Sequence, residues 1–333
     1  SPMTLAYTLA LIDTINAHSI HPPWVMHQFP QLSEALWSLR STPCHQNDCA
    51  YCNSQLSPQV QLQEWFGFKD FRLQAGQNLQ YQAVQAALEQ QSLMVVFPTG
   101  GGKSLSFQLP AFIQGKAMRS LTVVISPLVA LIKDQLDNLE QRFGIRQAAS
   151  LNGLQTQIER SENIEAVLSG RAYLLYISPE TLRSRTLRRL LLSRHIARFV
   201  IDEAHCFSSW GHDLRVDYQY IGPYVQDLQT RKGLQHPIPI SCLTATAKAQ
   251  VIEDIQAYFQ RHLQQKLLPL QVSAQRDNLH FEVYRVQHDH EKDLLVFNRL
   301  KERTGPAIVF VATTKKTETL AQKLTVSLGQ EVL

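Results

Sequence analysis

Leu93-Met94-Val95-Val96-Phe97-Pro98-Thr99-Gly100-Gly101-Gly102-Lys103-Ser104 reads as an apolar strand, a glycine-rich turn, and a Lys-Ser pair that opens a helix-like stretch. Small residues at Thr99, Gly100, Gly101 and Gly102 let successive backbone N–H groups wrap a phosphate chain at a helix N-terminus. Lys103 would then reach the outer phosphates, and the Ser104 hydroxyl would ligate Mg²⁺. Phe97 stands where the general pattern opens with glycine. A flexible surface loop is the alternative, and the flanking strand and helix weigh against it.

Outward from this turn, short aliphatic or β-branched runs recur at 93–97, 121–125, 173–177, 198–202 and 239–244, separated by longer helix-like stretches. Runs apolar on both faces, spaced by helices, predict an α/β fold with a parallel sheet covered on both sides. A second series begins near Phe281, with strands expected at 281–286 and 307–312 and helices at 291–301 and 317–328. The first 62 residues lack this alternation. The organisation expected is therefore an accessory segment at 1–62, a domain carrying the phosphate turn at 63–275 and a second series at 276–333.

The 333 residues carry 32 Lys and Arg against 28 Asp and Glu, a net charge of +4, which excludes a protein that coats nucleic acid by charge alone. Hydrophobic content of 44% is ordinary for a globular chain, and no apolar run approaches the roughly 18 residues of a membrane span. Ser1-Pro2-Met3 is not the head of a secretory signal, and five cysteines, three of them crowded together, do not form a disulfide framework. A reducing compartment is expected, the cytoplasm or, in a eukaryote, the nucleus.

Phe199-Val200-Ile201-Asp202-Glu203-Ala204-His205 puts two carboxylates at the C-terminal end of an apolar strand, where open α/β sheets bind ligands. Asp202 suits a Mg²⁺ contact and Glu203 a base that polarises the attacking water, which with Lys103 completes a catalytic set. Thr244 and Thr246, after another strand, offer hydroxyls that could couple the phosphate site to nucleic acid.

The turn at 98–104, Ser126-Pro127-Leu128 with Lys133-Asp134-Gln135, Ile177-Ser178-Pro179-Glu180, Asp202-Glu203-Ala204-His205-Cys206, Leu243-Thr244-Ala245-Thr246-Ala247 and Arg276-Asp277-Asn278-Leu279 follow the order of superfamily 2 helicases. Within them the chain resembles RecQ-type DNA helicases from about Trp65 onward. The stretch Cys206 to Arg215 resembles that family's aromatic-rich loop, which implies that Trp210, His212 and Arg215 contact single-stranded DNA and couple it to ATP hydrolysis, with Ser126, Thr244 and Thr246 joining them. Leu214 and Val216 depart from the family pattern, which removes one stacking surface.

The resemblance further implies a RecA-like fold, ATP and Mg²⁺ as ligands, and DNA with single-stranded tails as partner. Phe66-Gly67-Phe68 and Phe71-Arg72 resemble the adenine-recognition motif, with Phe68 and Arg72 as base contacts. Its glutamine is Gln77 by the local Gly-Gln pair and Gln80 by spacing to the turn. Residues 307–316 match the start of the second helicase domain; the later motifs and their arginine finger are not in the chain, so a longer protein is expected and these 333 residues alone would be inactive. The rival readings are an RNA helicase of DEAD or DEAH type, and an ATP-switched DNA-binding sensor subunit that does not unwind.

Cys44-x4-Cys49-x2-Cys52, with His45 adjacent, has metal-ligand character, because Cys-x2-Cys is a zinc-knuckle spacing. His45, His27 or His21 could supply the fourth ligand. This is not the zinc domain that RecQ-type helicases carry after their core. Unliganded thiols on a loop are the competing reading.

Overall fold

The computed structural model describes residues 37–38, 40–74, 76–207, 212–245, 248–272, 280–302 and 305–328. They group into two compact units, one ending at Ala274 and one beginning at Gln275.

The first unit is built on a seven-stranded sheet of β1 (Leu93–Val96), β2 (Leu121–Ile125), β3 (Ala148–Leu151), β4 (Leu174–Ile177), β5 (Ile196–Ile201), β6 (Ile240–Thr244) and β7 (Leu268–Gln271). The order is β3-β4-β2-β5-β6-β1-β7 and every pairing is parallel. The five expected strands are present within two residues of their predicted ends. β3 and β7 were not expected, because Ala148-Ala149-Ser150-Leu151 and Leu268-Pro269-Leu270-Gln271 carry neither the aliphatic run nor the β-branching that marks the others. Both lie at the sheet's edges, where Pro269 is tolerated.

The period-two alternation of each strand divides the core into two layers. Met94, Val96, Val123, Ile125, Phe199 and Ile201 face one layer, with Tyr218, Ile221, Val225, Ile255 and Phe259 from the helices His212–Lys232 and Ala249–Leu263. Val95, Phe97, Val124, Tyr176 and Val200 face the other, with residues of the helices Leu79–Leu88 and Leu105–Met118. The helix Leu105–Met118 is buried on every face from Leu105 through Gly115, its polar residues Ser106, Gln108 and Gln114 included. A β-carbon on Gly115 would stand 2.3 Å from the Tyr173 ring, so only glycine allows this helix its closeness to the start of β4.

One charge lies inside the second layer. Arg198, on β5, is 1% exposed and donates to the carbonyls of Ala87 (2.8 Å) and Gln91 (2.8 Å) and to Ser241 Oγ (3.0 Å). It thereby adds a donor to the Ala87 carbonyl in the last turn of Leu79–Leu88, which also accepts from Gln90 N, and supplies one to the Gln91 carbonyl just past the helix. Burial lowers its guanidinium to about 9.

Leu56 and Leu62, from the segment expected to be accessory, belong to this same core, carried by the helices Ala50–Gln55 and Pro58–Phe66. No helix among the described residues is long and apolar enough to cross a membrane.

The second unit contains the helices Asp289–Glu302 and Thr314–Leu328, near their expected positions. The strands expected at 281–286 and 307–312 are not formed. A strand persists only against a hydrogen-bonded neighbour and a covering layer. Here Phe281, Val283, Ile308 and Phe310 are 88%, 96%, 82% and 90% exposed.

Candidate active site

The C-terminal ends of β1, β2, β5 and β6 bring the predicted residues together. The ladder runs one residue past several strands: Phe97 N donates to Thr244 O (3.2 Å), Asp202 N to Ile125 O (2.9 Å) and Ser126 N to Ile177 O (3.0 Å). Each loop therefore leaves the sheet from a fixed point.

The turn after β1 is held by side chains of residues 72–80. Arg72 Nη1 donates to Gly100 O at 2.9 Å, Gln74 Nε2 to Gly101 O at 2.6 Å and Gln80 Nε2 to Gly102 O at 2.9 Å. Gln80 Oε1 in turn accepts from Arg72 N at 2.9 Å. Three consecutive carbonyls are thus tied to one side, and the Gly101 N–H closes the turn on Pro98 O (2.9 Å), which leaves the neighbouring backbone N–H groups to form an anion cradle. Gly100 and Gly102 have φ of 77° and 76°, and a β-carbon on Gly102 would meet Gln80 Nε2 at 2.3 Å.

Thr99, Gly100, Gly102, Lys103 and Ser104 line a cleft of about 620 Å³, together with Phe68, Arg72, Gln80 and Glu203. Phe66, Phe68 and Phe143 form an aromatic wall, with centroid distances of 6.3 Å for Phe66–Phe68, 5.0 Å for Phe66–Phe143 and 5.7 Å for Phe68–Phe143. A π-helical turn at Asn138–Arg142 presents Asn138 and Arg142 to the same cleft, and such turns recur at functional sites.

Of the two candidate glutamines, Gln80 is in the cleft and Gln77 is not. The stretch after Arg72 closes into a tight bridge in which the Gln74 and Gln77 backbones pair, and Gln77 is left exposed. Gln74, whose amide holds the turn, had no role in the sequence reading. Its signal would have been a third glutamine in the same short stretch.

At the end of β5, Glu203 has φ of 48°, a left-handed conformation that costs a non-glycine residue energy and aims its side chain back at the turn. Glu203 Oε1 is 4.0 Å from Lys103 Nζ, and Oε2 is 3.2 Å from His205 Nδ1. The same His205 nitrogen is 3.2 Å from Thr244 Oγ1. A polar chain therefore runs Lys103, Glu203, His205, Thr244, from the phosphate turn to the end of β6. His205 stood inside the acidic motif, but only the fold shows its link to Thr244.

Burial and the neighbouring Glu203 push the Asp202 carboxyl up to about 6, opposed by the Glu203 backbone N–H, Lys103 and the Ser126 hydroxyl. Tyr218 Oη also donates to Asp202 O at 3.0 Å. Asp202 and the Ser104 hydroxyl offer oxygen donors of the kind Mg²⁺ takes, and the ion's charge would remove the penalty on Asp202. Ser126 is 2% exposed, so it sits against Asp202 and not on an outer surface.

Trp210, Thr246 and Arg276 to Leu279 lie outside the described residues, as do the side chains of His212 and Arg215 at the start of the helix His212–Lys232. Cys44, Cys49 and Cys52 converge, with ligand atoms all within 4.8 Å of one another, whereas His45 is not in that group.

Residues 77–255, more than half of the chain, match the family model of the DEAD/DEAH box helicases. The chain belongs to that family, and within it to the RecQ type. It is 35% identical over 266 residues to a probable ATP-dependent DNA helicase, RecS, of Bacillus subtilis, covering 80% of the chain and 49% of the relative. It is 36% identical over 264 residues to the ATP-dependent DNA helicase RecQ of the same organism, covering 79% and 41%. The chain spans about half, or less, of the curated relatives it matches.

Among solved structures, the DUF1998 helicase MrfA superposes with a TM-score of 0.61 at 18% identity, over 83% of this chain and 42% of that one. The sheet of the first unit is accordingly a RecA-like helicase sheet.

Proposed function

We propose that the chain is the ATP-binding core of a RecQ-type DNA helicase or translocase, coupling hydrolysis of Mg-ATP to movement along single-stranded DNA. The observation that carries this reading is the polar chain from Lys103 through Glu203 and His205 to Thr244, which gives hydrolysis a physical route from the phosphate turn to the end of β6.

On this reading Lys103 and the tied turn hold the phosphates, and Phe68, Arg72 and Gln80 hold the base. Glu203 orients the attacking water and takes its proton, and His205 passes the change in Glu203 to Thr244. Mg²⁺, when bound, would be held by Ser104 and Asp202 and would neutralise charge on the phosphates. Trp210, His212, Arg215 and Thr246 supply the DNA contact and its coupling. Residues 1–62 act as an accessory segment, 63–275 as the ATP-binding domain and 276–333 as part of a second domain. The setting is the cytoplasm, or the nucleus in a eukaryote, and a structural zinc ion at Cys44, Cys49 and Cys52 is the third ligand we assign.

The test is a pair of substitutions in the full-length protein. Lys103→Ala should weaken nucleotide binding, whereas Glu203→Gln should bind ATP and hydrolyse it far more slowly; equal loss of binding in both would overturn the assignment. Single-stranded DNA should stimulate the ATPase and Trp210→Ala should abolish that stimulation, while stimulation by RNA instead would favour an RNA helicase. Among the described residues the cations lining the cleft are Arg72, Lys103 and Arg142. If a further arginine must enter from another domain, a polypeptide ending at Leu333 should show near-background ATPase, since such residues contribute about 10³–10⁵ in rate.

A further inference from the structure

We propose that Cys44, Cys49 and Cys52 bind one zinc ion, and that this ion braces the aromatic wall of the nucleotide cleft. The three thiols come from a loop, from the residue that caps the helix Ala50–Gln55, and from that helix's first turn. Cys52 Sγ is 3.4 Å from Cys44 Sγ, and all three sulfurs lie within 4.8 Å of one another. Thiolates at about 2.3 Å from a tetrahedral zinc stand about 3.8 Å apart, so each separation needs a change of at most about 1 Å.

Core packing does not account for this convergence. Cys206 and Cys242 are buried as packing cysteines are, while Cys44 is exposed and Cys49 and Cys52 only half-buried. A disulfide would use two sulfurs and leave the third without a purpose. The sulfurs also already have outer partners, since Cys52 N donates to Cys49 Sγ at 3.5 Å and Cys44 N to Cys52 Sγ at 3.4 Å. Backbone donors of this kind steady thiolate ligands. An all-sulfur set selects zinc over Mg²⁺ or Ca²⁺. The fourth corner is open to water at exposed Cys44.

The brace follows from what the helix Ala50–Gln55 is attached to. It has six residues and buries none of them, too little to persist by itself. It leads through buried Leu56 into Pro58–Phe66, whose last residue, Phe66, lines the cleft with Phe68 and Phe143. Tying Cys44 to the start of the short helix fixes that run from its far end. The brace rests on the nucleotide reading of the cleft; the zinc site does not.

Protein purified without chelator should carry about one zinc per chain. Replacement by Co²⁺ should produce the thiolate-to-cobalt charge-transfer band and tetrahedral d–d bands, and Cys49→Ser and Cys52→Ser should lose the metal. Stripping the wild-type ion should weaken binding of a fluorescent ATP analogue several-fold, and returning zinc should restore it. Protein that takes up neither zinc nor cobalt, or that is recovered with a Cys44–Cys52 disulfide, would overturn the site. Unchanged ATP-analogue affinity after stripping would overturn the brace and leave the site standing. Zinc-loaded protein that binds no ATP analogue would overturn the nucleotide reading, and the brace with it.

Discussion

The amides of Gln74 and Gln80 hold neighbouring carbonyls of the phosphate turn, yet only Gln80 also lines the cleft. Their removal should therefore be distinguishable. A net hydrogen bond is worth about 0.5–1.5 kcal/mol, which is up to roughly tenfold in affinity. Gln74→Ala should raise the Kd of non-hydrolysable ATP and GTP analogues by about the same factor, whereas Gln80→Ala should raise it mainly for the ATP analogue and narrow the preference; calorimetry reads both. Asp202 makes a second case. Its carboxyl, raised from 3.8 to about 6, is held ionised at neutral pH against burial. Asp202→Asn should stabilise the nucleotide-free protein at pH 7.5 by on the order of 2–3 kcal/mol. The gain should shrink as the pH falls through 6 towards 4, where the native carboxyl takes up its proton, and urea melts at several pH values would show it. The turn, Asp202 and Glu203 were legible from residue type and order alone. The choice between Gln77 and Gln80 was not, because it depends on how the backbone closes between Gln74 and Gln77.

Strands were legible where burial comes with aliphatic side chains, so β3, buried at three of four positions but built from Ala-Ala-Ser-Leu, was missed. β1, β2, β4, β5 and β6 are buried along their whole length and read as continuous aliphatic runs, while β7, exposed at three of four positions, did not. Helix placement depends on contacts that no local pattern encodes, of which Gly115 against Tyr173 is the sharpest. Gly115→Ala should destabilise the protein by about 1–3 kcal/mol, the usual cost of overpacking, despite the better helix propensity of alanine. Adding Tyr173→Ala should recover part of that loss, so the double variant should melt above the sum of the two single effects. Strict additivity would mean that the helix shifts without meeting the ring. The 281–286 and 307–312 runs show the converse, since aliphatic alternation predicts a strand but cannot supply its neighbour.

Two buried groups of the first unit oppose each other in the acid range. His195, stacked on Trp37 at 4.6 Å, is lowered from 6.5 to about 4, chiefly by burial. Between those values the unfolded chain binds the proton first, so His195 makes stability rise with pH. Asp202, with its raised value, binds a proton more tightly when folded and makes stability fall across much of the same window. The native protein should therefore change little between pH 4.5 and 6.5 on account of this pair, whereas Asp202→Asn should lose on the order of 3 kcal/mol over the window from about 6.5 down to 4. Equal slopes in the two proteins, by chemical denaturation, would refute the opposition.

The sheet order has one more consequence, for the order in which the molecule is made. β1 carries the phosphate turn and is the first strand to be synthesised, but its neighbours are β6 and β7, the last two. Until the ribosome has passed Gln271, β1 lacks a full set of ladder partners, and the turn has no Thr244 carbonyl to fix its departure. The nascent chain thus holds an apolar strand in reserve through most of its own translation, and competence to bind nucleotide arrives late and nearly all at once, as a report that the sheet has closed around its oldest strand.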